Sequence, residues 1–230
     1  MKVGLIYTST TPELIELVEE EVKKQLGDDV EMLSLQDPSI LADVREAGYV
    51  TTAPAARLIG MYMKAAEEGV DAMLNLCSSV GEVADCAQDA ARYIGVPIVR
   101  VDEEMCREAV RLGSRIGVMA TLPTTLTPTK NTVARVAREA GKHVELVDCL
   151  VDGAFGLDQD QFRARLTSAA EEIIDKVDVI VLAQGSMAYA EPHLREHFGK
   201  PFLGSPRFGA AELRKALERK GLICINYSAL

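Results

Sequence analysis

Short apolar runs alternate along the chain with longer stretches in which apolar residues recur every three or four positions. The runs Val3–Thr8, Val30–Leu35, Ala72–Cys77, Ile98–Val101, Arg115–Thr121, Val144–Leu150, Val179–Gln184 and Phe202–Gly204 read as strands. Between them, Pro12–Leu26, Ala55–Glu68, Val80–Ile94, Glu103–Leu112, Asn131–Ala140 and Gln161–Lys176 read as amphipathic helices. Gly27, Gly69, Gly95, Gly113 and Gly141 stand where helices stop. Strands alternating with helices of this length predict βαβ units and a mainly parallel sheet. No run approaches the ~20 apolar residues of a membrane span. The segment Met1–Ile6 has one basic residue and then a strand-like run, without the apolar stretch and cleavage site of a secretory signal. A cytoplasmic location is therefore expected.

The pattern repeats. Lys2–Thr8 aligns with Arg115–Thr121, Val30-Glu31 with Val144-Glu145, Val70–Leu74 with Val177–Val181, and Gly95-Val96-Pro97 with Gly199-Lys200-Pro201. The offsets, 113, 114, 107 and 104, shrink smoothly, as small deletions in one copy would produce. The expected fold is α/β, with two pseudo-symmetric Rossmann-like halves, each a mainly parallel sheet flanked by helices. We place the first half at 1–99 plus 206–230 and the second at 100–205. Ligands of open α/β sheets bind outside the carboxyl ends of strands. The active site is therefore expected in the cleft between the halves.

The repeat selects the residues that meet there. The first strand of each half ends in hydroxyls: Thr8 and Ser9, with Thr10 and Thr11, in one copy, and Thr121, Thr124 and Thr125 in the other. Hydroxyls at a strand-to-helix turn can hold an anion or cap a helix. The third strands end in Asn75-Leu76-Cys77-Ser78-Ser79 and Leu182-Ala183-Gln184-Gly185-Ser186, so Cys77 and Gln184 are equivalent. Ser79 and Glu82 have capping-box spacing, which predicts a helix start just after Cys77. A thiol beside a helix N-terminus tends toward a lowered pKa. Cys77 is therefore expected to be the catalytic base, acid or nucleophile, and to label ahead of the other four cysteines at pH 7. The expected substrate-binding set is Thr8, Ser9, Asn75, Ser78, Ser79, Thr121, Thr124, Thr125, Gln184, Gly185 and Ser186. Glu82, His193, Tyr189, Arg207 and Ser205 are weaker candidates.

Composition narrows the chemistry. The net charge of −10 and the lack of a basic stripe argue against a nucleic-acid partner. Five cysteines without a CxxC pair suggest neither a disulfide framework nor zinc. His193 and His197 could share a helix face, but no zincin glutamate accompanies them, so no metal is expected. Neither GxGxxG nor GxxxxGK[ST] occurs, and no cofactor is expected.

The chain resembles the aspartate/glutamate/hydantoin racemase superfamily over nearly its whole length. The resemblance rests on the two halves, on Asn75-Leu76-Cys77-Ser78, on Ile116–Thr121, and on Val181–Met187. It implies a cofactor-independent enzyme acting on a small carboxylate, assembled as a homodimer or higher homo-oligomer. In that family two cysteines face each other across the substrate α-carbon. Here the second position holds Gln184, which cannot act as acid or base near neutral pH. The implied activities are a racemase or isomerase, or a one-cysteine decarboxylase or lyase. A non-catalytic carboxylate-binding or sensing protein is the alternative.

Overall fold

A computed structural model describes residues 1–224. All eight expected strands form, as two four-stranded parallel sheets. The first contains β1 (Lys2–Tyr7), β2 (Glu31–Gln36), β3 (Ala72–Asn75) and β4 (Ile98–Arg100), in the order β2-β1-β3-β4. The second contains β5 (Arg115–Ala120), β6 (Glu145–Leu150), β7 (Val179–Leu182) and β8 (Phe202–Gly204), in the order β6-β5-β7-β8. The helices of the first half are α1 (Pro12–Leu26), α2 (Pro38–Ala47), α3 (Thr52–Glu67), α4 (Gly81–Cys86) and α5 (Gln88–Ile94). Then follow α6 (Glu103–Leu112), α7 (Pro123–Glu139), α8 (Gln159–Glu171), α9 (Glu191–Phe198) and α10 (Ser205–Arg219).

The repeat read from the sequence is a repeat of register. Lys2 pairs with Glu31 as Arg115 pairs with Glu145. Val3 pairs with Ala72 as Ile116 pairs with Val179, and Met73 with Ile98 as Ile180 with Phe202. Each copy is locked by the same contact. Asp71 Oδ2 accepts the Lys2 N–H at 2.9 Å, and Asp178 Oδ2 accepts the Arg115 N–H at 2.9 Å. The glycine in each first strand has a packing cause. A Cβ on Gly4 would lie 3.3 Å from Met73 Cγ, and one on Gly117 would lie 2.9 Å from Ile180 Cγ1. Met73 and Ile180 are equivalent residues of β3 and β7, and their side chains occupy the space over the first strand.

Both faces of both sheets are covered, which is why the central strands read as continuous apolar runs. One face of the first sheet packs Val3, Leu5 and Leu74 against Val18 and Val22 of α1 and Leu213 and Leu217 of α10. The other packs Ile6 and Met73 against Leu58 and Tyr62 of α3. In the second sheet, Ile116 and Val118 meet Val133 and Val136 of α7, while Met119 and Ile180 meet Phe162 and Leu166 of α8. Helix α10 thus returns to the first sheet. The final six residues of the expected first half, 225–230, lie outside the described residues. Among the described residues no helix is long and apolar enough to cross a membrane.

Several boundaries differ from the pattern-based reading. Helix α7 begins at Pro123 rather than Asn131. Pro123 suits the first turn, where its missing N–H is not needed, and the helix tolerates Pro128 inside. The stretch Val80–Ile94 forms two short helices meeting at Ala87. Gly113 is extended, at φ −163°, so no left-handed turn requires it. Its reason is space: a Cβ there would lie 2.5 Å from Asp178 Cβ.

The close approach at the paired glycines sets a testable order. Gly117→Ala should lower the unfolding free energy by about 1–3 kcal/mol, the usual cost of overpacking. Gly4→Ala should cost less, because Met73 is flexible and the contact is longer. Urea denaturation of the two variants checks this; a Gly4→Ala variant that is the weaker of the two would contradict it.

Candidate active site

A cavity of about 630 Å³ opens between the carboxyl ends of the two sheets. The first half contributes Ser9, Leu76, Cys77, Ser78 and Ser79, and the second Leu122, Thr125, Gln184, Gly185 and Ser186. Ser79 and Thr125 meet across the divide, with their hydroxyl oxygens 2.8 Å apart. Among the expected site residues, the cavity therefore gathers Ser9, Cys77, Ser78, Ser79, Thr125, Gln184, Gly185 and Ser186. Thr8, Asn75, Thr121 and Thr124 are buried behind its wall and do not line it.

Strand β3 delivers Cys77 to the cavity, and a buried relay fixes its backbone. Tyr62, fully buried on α3, donates its hydroxyl to Asn75 Oδ1 at 3.0 Å. Asn75 Nδ2 then donates to the Cys77 carbonyl at 3.1 Å. Asn75 is thus occupied with positioning the Cys77 peptide rather than being free for a ligand. Beyond Cys77 the chain makes a 3-10 turn, Ser78–Val80, and enters α4. The Arg100 guanidinium underpins that turn: a side chain at Gly81 would collide with it. Arg100 is buried and donates to both oxygens of Asp102, each at 3.0 Å, to Asp85 of α4 at 2.6 Å, and to Thr132 of α7 at 2.8 Å. One cation therefore ties the Cys77 turn to both halves. Removing one partner of such a buried set typically costs ~3–5 kcal/mol.

The capping box does not form. Ser79 pairs with Thr125 instead, and Glu82 accepts from Asn131 Nδ2 at 3.0 Å on the exposed surface. The thiol also departs from the expected direction. Burial pushes the Cys77 pKa up from its ordinary value, and this outweighs the donors around it. Those donors are the Thr8 and Ser79 hydroxyls and the N–H groups of Ser79 and Val80, each of which favours the thiolate. A 3-10 turn followed by a six-residue helix supplies only local N–H groups. Thr8 Oγ1 is buried without a partner and is placed to donate to a thiolate. The other buried cysteines lack this cradle. Cys149 is pushed up to about 11 by burial, with Glu172 adding to it, and its sulfur faces the Ala169 carbonyl.

The equivalent position in the second half is closed. Gln184 Oε1 accepts the Thr121 N–H at 2.7 Å, and Gln184 Nε2 donates to Thr121 Oγ1 at 2.7 Å. This two-point clamp engages the Thr121 N–H and one lone pair of its hydroxyl, and Thr121 itself is buried and does not line the cavity. Thr8 and Thr121 are repeat partners, so the same threonine meets a thiol in one half and a carboxamide in the other.

The weaker candidates separate. Tyr189 lines the cavity, its hydroxyl donating to the Gln159 carbonyl. Glu82, His193, Arg207 and Ser205 do not line it. Arg207 pairs with Glu191 at 2.7 Å, and His193 stacks on His197 along α9. Among the described residues no group of three His, Cys, Asp or Glu side chains is placed to hold a metal ion. The sequence reading missed the loop 151–158 and Leu41. Phe155, Gly156, Leu157 and Asp158 line the cavity from the loop after β6, and Leu41 lines it after β2. The signal for them lies in the repeat: the second strand of each half also ends at the cleft, as the first and third do.

The sequence pattern of the Asp/Glu/hydantoin racemase family matches residues 3–213. No protein of curated function matches the chain in sequence. Among solved structures, the allantoin racemase of Klebsiella pneumoniae is 21% identical, with a TM-score of 0.66, over 99% of this chain and 91% of its own. A glutamate racemase of Bacillus anthracis is 15% identical, with a TM-score of 0.71, over 97% and 84%. An unliganded arylmalonate decarboxylase is 14% identical, with a TM-score of 0.58, over 94% and 92%. At these identities the likeness is one of fold.

The raised thiol pKa reverses the expected order of labelling. At pH 7 the exposed Cys86 should react with iodoacetamide ahead of Cys77. In a Cys86→Ser, Cys224→Ser background, the Cys77 rate should rise about tenfold per pH unit from 7 toward 9, tracking the thiolate. Thr8→Val should shift the profile higher still. Peptide mass spectrometry reads the site; a rate that is already level at pH 7 would contradict the argument.

Proposed function

The chain belongs to the Asp/Glu/hydantoin racemase family, and we propose that it is a cofactor-independent enzyme that moves a proton at the carbon α to a carboxylate from one face only. The observation that carries this reading is the asymmetry of the cavity. An ionisable thiol, Cys77, and a clamped carboxamide, Gln184, occupy equivalent strand ends on its wall. A symmetric two-thiol racemisation is not open to such a pair.

The substrate carboxylate is held by neutral donors near the N-terminus of α7: the hydroxyls of Ser9 and Ser78, with the one proton that the Ser79–Thr125 hydroxyl pair leaves free. Ser78 Oγ has no partner within the described residues, and α7 has no side-chain cap. The same donors stabilise the enolate-like charge that develops when the α-carbon loses a proton or a carboxyl group. Cys77 rests as a thiol, so its first act is suited to giving a proton. If the substrate also carries a carbonyl group on the α-carbon and loses carbon dioxide, the bond from the α-carbon to the carboxyl group breaks and its electron pair enters the enolate of that carbonyl. The Sγ–H proton then passes to the α-carbon. The thiolate left behind faces the Thr8 and Ser79 hydroxyls and the N–H groups of Ser79 and Val80 until solvent restores its proton. If the substrate instead keeps its carboxylate, the thiolate removes the α-proton and returns one to the same face. In either case a high thiol pKa makes the thiolate a stronger base, at the cost of a smaller thiolate population.

The second reading is a carboxylate-binding protein without turnover, and the Gln184 clamp is the observation that favours it. Hydrogen–deuterium exchange separates the two. Incubation with 2-substituted monocarboxylates in D₂O, followed by ¹H NMR, should show loss of the α-proton signal. Cys77→Ser should slow that exchange at least ~100-fold, the lower range for losing acid–base assistance. Exchange at the wild-type rate in Cys77→Ser would remove the proposal. Binding without exchange would leave the binding protein.

A further inference from the structure

Resting on the reading of the cavity as a carboxylate site, we infer that its substrate is a monocarboxylate bearing an aryl or branched-alkyl group, and that the loop 151–158 selects that group. The cavity lining is of two kinds. The hydroxyls already described make up the first. The second is apolar, built from Leu14, Leu41, Leu122, Phe155, Leu157 and Phe162. Among the described residues no lysine, arginine or histidine lines the cavity, and the charged ones that do are Glu13 and Asp158. A second carboxylate on the substrate would meet two groups of its own sign and no counter-charge. A charge left unpaired on leaving water is strongly disfavoured. An apolar group in the same place covers side chains that otherwise face solvent.

The loop's construction suits that task. Phe155 and Leu157 remain 38% and 37% exposed and so present apolar surface at the cavity wall. Gly153 and Gly156, at φ 70° and 88°, flank Phe155 and take backbone shapes that side-chain-bearing residues rarely adopt. The Arg45 guanidinium of α2 lies 4.7 Å from the Phe155 ring centre, stacking the loop of the second half on a helix of the first. Arg45 is thereby engaged with the ring and does not line the cavity.

Protection of Cys77 from iodoacetamide at pH 9, in the full-length protein, tests the inference with three probes: phenylacetate, succinate and acetate. Phenylacetate should half-protect at a concentration at least ~10-fold below acetate, the low end of what a filled apolar pocket contributes. Succinate should protect no better than acetate. Phe155→Ala, a change at a half-exposed loop position, should raise the phenylacetate value several-fold more than the acetate value, and Leu41→Ala should act in the same direction. Succinate protecting as well as phenylacetate would overturn the substrate class while leaving the carboxylate site standing. Equal changes for phenylacetate and acetate in both variants would overturn the loop's role. No protection by any of the three probes would overturn the inference together with the carboxylate reading beneath it.

Discussion

Thr121 gives its N–H to Gln184 and receives the Gln184 amide on its hydroxyl, both at 2.7 Å. Its repeat partner, Thr8, has an unpaired hydroxyl beside the Cys77 sulfur. The chemistry of the cavity follows from that difference. A duplicated fold brings two equivalent strand ends to one cleft, and in a symmetric protein both would carry the same function. Here one end holds an ionisable group with donors waiting for its charged form. The other holds a neutral group whose carbonyl oxygen and amide nitrogen are each tied to Thr121 of its own half. Breaking the Gln184 clamp would strand a backbone N–H in a buried wall, so the amide is a fixed part of the scaffold.

The scaffold concentrates its buried polar interactions around the same turn. Tyr62 and Asn75 hold the Cys77 peptide from within the first half. Arg100 holds the following helix and reaches Thr132 of the second. Ser79 and Thr125 join across the cavity itself. The Tyr62–Asn75, Arg100–Thr132 and Ser79–Thr125 bonds are removed from water, where partner loss is costly and geometry is strict. The thiol thus sits in a rigid setting, although burial opposes its ionisation. These two facts are compatible. Under the proposed function, a preorganised cradle lowers the cost of forming the thiolate at the moment of reaction, while the resting state keeps the proton.

Much of this was legible in the sequence, for identifiable reasons. The central strands, buried on both faces, become uninterrupted apolar runs, while the partly exposed edge strands β2 and β6 were visible from their matching places in the repeat. Gly4 and Gly117, with Asp71 and Asp178, recur because each copy needs the same close approach and the same lock, so the repeat was visible too. Cys77 and Gln184 followed from counting along that repeat to the strand ends. What was not legible depended on contacts distant in sequence. Ser79 abandons local capping for Thr125, 46 residues away. Thr121 bonds Gln184 and Asn75 bonds Tyr62, and both are buried behind the lining, although their positions at strand ends suggested direct contact with a ligand. The pKa of Cys77 turned on how deeply the turn is buried, which spacing does not encode. The start of α7 was hidden because a segment with two prolines and many threonines reads as loop until its buried face is known.

The central claim is that a single thiol serves a single face of the substrate, and stereochemistry tests it most directly. A substrate that exchanges its α-hydrogen in D₂O should be offered as one enantiomer and its deuterated product resolved on a chiral phase. The arrangement of Cys77 and Gln184 requires deuterium to enter with the configuration retained. A product that becomes an equal mixture of enantiomers as fast as deuterium enters would mean that a second acid serves the opposite face, and the one-sided account would be wrong.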